Sequence, residues 1–146
     1  MKLQCHRPTL ANSLSIVSGV VPTRTPKEIL RNVKLQIDSG KVTLVGTDQE
    51  VGVRYELSGV ETDSSGEVLL PTSRVTSILR ELTDETVDIE VTESLVCLRS
   101  GGSEFNLASE DPDEFPDVAA FEESQYYAIP AIALREAIAR TAFATD

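Results

Sequence analysis

Residues 67–82 read Glu67-Val68-Leu69-Leu70-Pro71-Thr72-Ser73-Arg74-Val75-Thr76-Ser77-Ile78-Leu79-Arg80-Glu81-Leu82, and the pattern changes period at the proline. After Pro71, the residues Val75, Ile78, Leu79 and Leu82 fall on one stripe of a helix. Thr72 is suited to cap its first turn. The spacing predicts a helix over 72–82, about three turns long, that opens a second structural unit.

The same arrangement stands at the start of the chain. Met1, Leu3 and Cys5 alternate with Lys2, Gln4 and His6, which is the period of a strand with one buried face. Pro8 suits a first helical turn, and Leu10, Leu14 and Val17 follow at helical spacing over 8–20. Between and after the helices come more alternating runs: Val33, Leu35 and Ile37; Val51, Val53, Tyr55 and Leu57; Val87, Ile89 and Val91. Turn residues separate them at Asp38-Ser39-Gly40-Lys41, Asp63-Ser64-Ser65-Gly66 and Ser100-Gly101-Gly102-Ser103. About eight strands are expected before residue 110. Strand, helix, several strands thus occurs twice, from Met1 to about Glu61 and from Glu67 to about Ser109. The two halves share architecture and little sequence. The expected class is α+β, with two helices packed on one side of antiparallel sheets.

Residues 110–125 are rich in Asp and Glu, contain no basic residue, and are punctuated by Pro112 and Pro116; they read as an acidic linker. Tyr126–Ile129 then reads as a strand, and Pro130 leads into a helix over 131–143 with Leu134, Ala137, Ile138 and Thr141 on one face. Such a helix needs a sheet to cover it, so the natural protein is expected to be longer. The expected domains are 1–120 and the start of a second at 121–146.

Charge is distributed unevenly. The chain has 24 Asp and Glu against 13 Lys and Arg, a net charge of −11. Yet the first acidic residue is Glu28, after Lys2, His6, Arg7, Arg24 and Lys27. The outer stripe of the first helix (Pro8, Asn12, Ser15, Gly19) and that of the second (Ser73, Ser77, Arg80, with Arg74 on the flank) also lack carboxylates, with Glu81 to one side of the second. This suits a face past which a phosphate backbone moves, on a protein whose remainder repels polyanions. A dedicated base-reading helix is absent.

Other chemistries have little support. One histidine and two distant cysteines, Cys5 and Cys97, do not make a zinc site or a redox pair, and read as buried free thiols. No Gly-rich phosphate loop occurs, and few aromatics alternate with basic residues. Asp48 and Glu50, two apart on a predicted strand, form the one carboxylate pair with a hydrolytic reading; such a pair is more often a solvated strand edge. Asp111-Pro112-Asp113-Glu114 lacks the glycine and distal glutamate of a calcium loop. No secretory signal or membrane-length apolar run is present, so a cytoplasmic protein without membrane contact, metal or cofactor is expected.

Several stretches together resemble the N-terminal domain of the bacterial DNA polymerase III beta subunit, the sliding clamp family. They are LSIVSG at 14–19, ILRN at 29–32, LVGTDQE at 44–50, Leu70-Pro71, Arg99-Ser100-Gly101 with Phe105 and Leu107, and PDEFP at 112–116. The resemblance implies a DNA-clamp fold, three such domains per chain, and a head-to-tail homodimeric ring around double-stranded DNA without sequence preference. It implies a non-catalytic processivity factor, with no catalytic residues, that tethers the replicative polymerase and is placed by a clamp loader. Arg24, Arg80, Arg7 and Arg74 are the implied DNA-facing residues. Phe105 and Leu107, with Arg74, are implied at the dimer interface. The segment after Arg24 departs from the family pattern, and Gly102 and Glu104 stand where some relatives carry arginines. The alternative class is a small acidic module that binds a protein partner through a strand edge.

Overall fold

A computed structural model describes residues 1–62, 64–92, 94–121 and 124–145. Asp63 of the second expected turn, and Glu122 and Glu123 of the acidic segment, lie outside the described residues. The first half runs β1 (Lys2–His6), α1 (Arg7–Val17), β2 (Asn32–Asp38), β3 (Lys41–Thr47), β4 (Gly52–Leu57) and β5 (Val60–Glu61). The second runs β6 (Gly66–Pro71), α2 (Thr72–Glu81), β7 (Thr86–Thr92), β8 (Leu95–Ser100) and β9 (Ser103–Ala108). Described strands therefore number nine, one more than expected, because β5 is a two-residue addition.

Each half completes the sheet of the other. One sheet has the order β5-β1-β7-β8-β9 and the second β4-β3-β2-β6, with every pairing antiparallel. β1 from the first half pairs β7, placing Leu3 opposite Ile89. β6 from the second half pairs β2, placing Leu35 opposite Val68. Neither half buries its apolar set without this exchange. Leu10, Leu14 and Val17 of α1, Val75 and Leu79 of α2, and inward residues of both sheets form one core cluster. The two helices touch within it, so both lie on the same side of the sheet layer, as the repeat predicts.

The turns follow their residues. Ser39 and Gly40 both have positive φ, 51° and 78°, closing a two-residue hairpin. Gly46 lets α1 approach β3: a Cβ there would stand 2.7 Å from Val17 Cγ1.

Five expectations need correction. Thr72 is the first residue of α2, not its cap; Pro71 holds the cap position, and no side chain caps this helix. β2 is buried on both faces, Asn32 and Lys34 included. The cause is residues 110–118, which are no free linker. They cross the outer face of the four-stranded sheet and seat Phe115 against Val45 and Leu69. Asn32 Nδ2 donates to Glu110 Oε1 at 3.0 Å, Arg54 Nη1 donates to the Val118 carbonyl at 3.1 Å, and the Lys34 ammonium meets Glu67 at 2.7 Å. Gly52 permits the crossing, since a Cβ would collide with Val118 Cγ1. Asp48 and Glu50 lie in the loop between β3 and β4, not on a strand. Finally, Tyr126–Ile129 forms no strand, while α3 (Ala131–Thr141) forms as expected with every residue exposed.

Candidate nucleic-acid interface

The predicted Pro8, Asn12 and Ser15 are exposed on α1, Gly19 is exposed in the turn just after it, and Ser73, Ser77 and Arg80 are exposed on α2. These surfaces arise because burial of one stripe fixes the other. Between α2 and the loop following α1 lies a groove of about 410 Å³. Thr23 and Arg31 border it on one side, and Ser73, Ser77 and Arg80 on the other; no carboxylate lines it.

Arg24 sits beside Thr23 in that loop, exposed, with no hydrogen bond or ion pair to the described residues. Arg31, which the sequence reading did not single out, is half-exposed at the end of the short turn Glu28–Arg31. Its Nη2 donates to the Thr25 carbonyl at 3.4 Å, and its contact with Glu28 is loose at 3.7 Å. The signal was available in the ILRN stretch, but the fold of the 22–31 loop that brings Arg31 to the groove was not.

The other candidate arginines have different surroundings. Arg7 is half-buried: its Nε donates to the Asp84 carbonyl at 2.6 Å and its Nη1 to the Leu79 carbonyl at 3.2 Å. With its own amide bonded to the Glu85 carbonyl, it staples the start of α1 to the last turn of α2, where a cation also suits the helix dipole. Arg74 is exposed at the start of α2, across a shallow groove from Glu28, Arg31 and Glu110. The structure thus brings Arg31 and Arg80 to one groove, leaves Arg24 exposed in the loop beside it, and gives Arg7 a fastening role.

β9 is an edge strand. Phe105 and Leu107 point inward from it, Phe105 half-buried and Leu107 part of the core. On its outer face Glu104 pairs with Arg99 at 2.9 Å, Arg99 with Glu90 at 2.6 Å, and Glu90 with Lys2 at 2.8 Å, a charge ladder across four strands. Hydrogen bonds from Lys2 and Arg99 hold the Glu90 carboxyl below the usual range, and Arg99 does the same for Glu104. Glu104, the departure noted in the sequence, is therefore neutralised within its own sheet.

Other chemical candidates have structural duties. Asp48 Oδ1 accepts from the amides of Glu50 at 2.9 Å and Val51 at 2.7 Å. The Val51 and Glu50 amides lower its pKa, opposite to what a general acid needs. Burial, with the Asp88 charge, pushes the Cys5 thiol up to about 12, and burial raises Cys97; both are free and poorly nucleophilic. Among the described residues no group of three metal-binding side chains converges, and no helix is long and apolar enough to cross a membrane.

The whole chain is similar to proteins of one kind. The beta sliding clamp of Halalkalibacterium halodurans is 31% identical over 154 aligned residues, covering 100% of this chain and 40% of that protein. That of Haemophilus influenzae is 31% identical, covering 98% and 39%. The crystal structure of the DNA polymerase sliding clamp from Bacillus subtilis superposes with a TM-score of 0.90 at 29% identity, covering 98% of this chain and 40% of that one. The DNA polymerase III subunit beta from Pseudomonas aeruginosa superposes at 0.87 with 30% identity, covering 98% and 39%. The chain spans about 40% of the length of the curated relatives it matches. Residues 1–119 match the DNA polymerase III beta subunit, N-terminal domain, and the chain belongs to that family.

Proposed function

We propose that this chain is the N-terminal part of a ring-forming sliding clamp, a non-catalytic cytoplasmic factor that encircles duplex DNA and tethers the replicative polymerase. The observation that carries this reading is the pair of adjoining helices whose outward faces carry a single carboxylate, Glu81 at the end of α2, in a chain of net charge −11. A clamp must keep the duplex inside without holding it at one place. Small hydroxyl side chains and a few arginines provide weak, sequence-independent attraction, because each phosphate neutralised adds only about 0.9 to the salt dependence. Acidic surface elsewhere repels DNA from the outside.

In this reading residues 1–120 are the first clamp domain and 121–146 begin the second. Edge strand β9, with Phe105 and Leu107, and Arg74 at the start of α2 meet a second clamp chain head to tail. The clamp loader and polymerase dock on parts of the ring outside this chain. Arg24 and Arg80 touch DNA; Arg7 contributes chiefly by fixing α1 against α2. Replacing Arg24 and Arg80 together by Ala in the full-length protein tests the proposal. Processive synthesis on a primed circular template should fall by at least about tenfold, the effect of losing about 1.4 kcal/mol, with the unfolding midpoint unchanged. An acidic protein-binding module predicts synthesis unaltered by these substitutions.

A further inference from the structure

The groove between α2 and the Thr23–Arg31 loop has features that a merely non-repellent surface does not need. Arg31 and Arg80 border it from separate elements. The N-terminus of α2 opens onto it through Thr72 and Ser73, with no side-chain cap and no acidic residue in its first turn. Thr72 is nine-tenths buried at its border, and its hydroxyl has no partner among the described residues. Free first-turn amides and a helix dipole favour an anion, and guanidinium forks match an oxyanion with several acceptor atoms. We propose that this groove seats one phosphodiester of the duplex, with Arg31 and Arg80 as its two cationic donors and the start of α2 beneath it. The inference rests on the duplex-binding reading and adds to it a defined contact and a residue, Arg31, that acts as a second donor. Arg31 is free to turn: its contact with Glu28 is 3.7 Å long and exposed on both sides, so an incoming phosphate readily displaces it.

The test is the salt dependence of binding between the 146-residue chain and a fluorescently labelled short duplex, read by anisotropy. Wild type should show a measurable negative slope of log affinity against log salt. Arg31→Ala and Arg80→Ala should each reduce the slope by up to about 0.9. The double variant should reduce it by about 0.9 in total, since both act on one phosphate. Arg31→Lys should restore most of the slope, and the thermal midpoints of all variants should match wild type, because both side chains are exposed. If Arg24→Ala lowers the slope and Arg31→Ala does not, the seat is wrong and the clamp reading stands. A double variant that loses about 1.8 places the two arginines on separate phosphates and also overturns the seat. If wild type shows no slope, the clamp reading fails and the seat fails with it.

Discussion

Residues 2–17 and residues 126–141 follow one recipe: four or five strand-like residues, then an eleven-residue helix with a proline at its start, Pro8 second in α1 and Pro130 just before α3. In the first, β1 is held between β5 and β7, and α1 buries Leu10, Leu14 and Val17. In the second, Tyr126–Ile129 stays unpaired, with Tyr127 98% exposed, and α3 is exposed along its whole length. The helix forms in both places because its hydrogen bonds are local. α3 adds good intrinsic formers at Ala131, Ala133, Ala137 and Ala139, and a Glu136–Arg140 pair four residues apart. A strand has no such independence, since every ladder bond requires a neighbour. The difference separates what a segment encodes by itself from what it receives from the rest of the chain.

The sharpest way to break this comparison is to empty the packed copy. Leu14 is fully buried, touching both sheets' core. Leu14→Ala should remove about 4 kcal/mol, the lost transfer energy plus a cavity in a core that relaxes only in part. Urea unfolding followed by circular dichroism measures it. A loss under about 1 kcal/mol would mean that α1 is no better anchored than α3.

Residues 110–118 stand between the two extremes. They have little regular structure, yet they are ordered by packing, with Phe115 3% exposed against Val45 and Leu69. Phe115→Ala should cost about 3 kcal/mol, at the lower end for such a change because the cluster is small and peripheral. Hydrogen exchange should then speed up in β2 and β6 while α2 keeps its protection. If exchange stays unchanged, this segment covers the sheet without holding it.

A third effect depends on pH. Burial alone would raise the Glu67 pKa, but hydrogen bonds from Lys34 and Gln36 outweigh it and lower the group below its ordinary 4.5. A carboxyl whose pKa is depressed on folding stabilises the fold above its unfolded value and loses that contribution as the pH falls through the folded one. Glu90 and Glu104 titrate in the same direction. The urea midpoint should therefore decline from about pH 5 downward, and Lys34→Met should flatten the Glu67 part of that decline.

These contrasts explain what was legible in the sequence. Both packed helices, their buried stripes and the hairpin at Ser39-Gly40 were readable because period and turn chemistry are local. The exchange of β1 and β6 between sheets was not, since alternation fixes a strand's face and says nothing of its neighbour. The burial of Lys34 and the seating of Phe115 depend on a crossing between residues nearly eighty apart. At the proposed interface, the exposure of Arg24 and Arg80 was legible from charge and helical spacing. Arg31 required the path of a loop, and the fastening role of Arg7 required the Leu79 carbonyl 72 positions away. Long-range polar partners leave no periodic trace.

The smallest expected effect sharpens the comparison most. Leu134 occupies the place in α3 that a core leucine holds in α1, but it is 47% exposed. Leu134→Ala in this chain should change unfolding free energy by less than about 0.5 kcal/mol, and the helix content should stay within error because alanine is the better helix former. The same substitution in a longer protein that supplies a sheet over this face should cost about 2–5 kcal/mol. A large loss in the 146-residue chain would show that the face is already covered in solution, either by residues 1–118 or by a second copy. A protein-concentration dependence of the midpoint distinguishes those two. Either result would erase the difference between the packed and unpacked copies; a null result leaves α3 as a helix formed before its core exists.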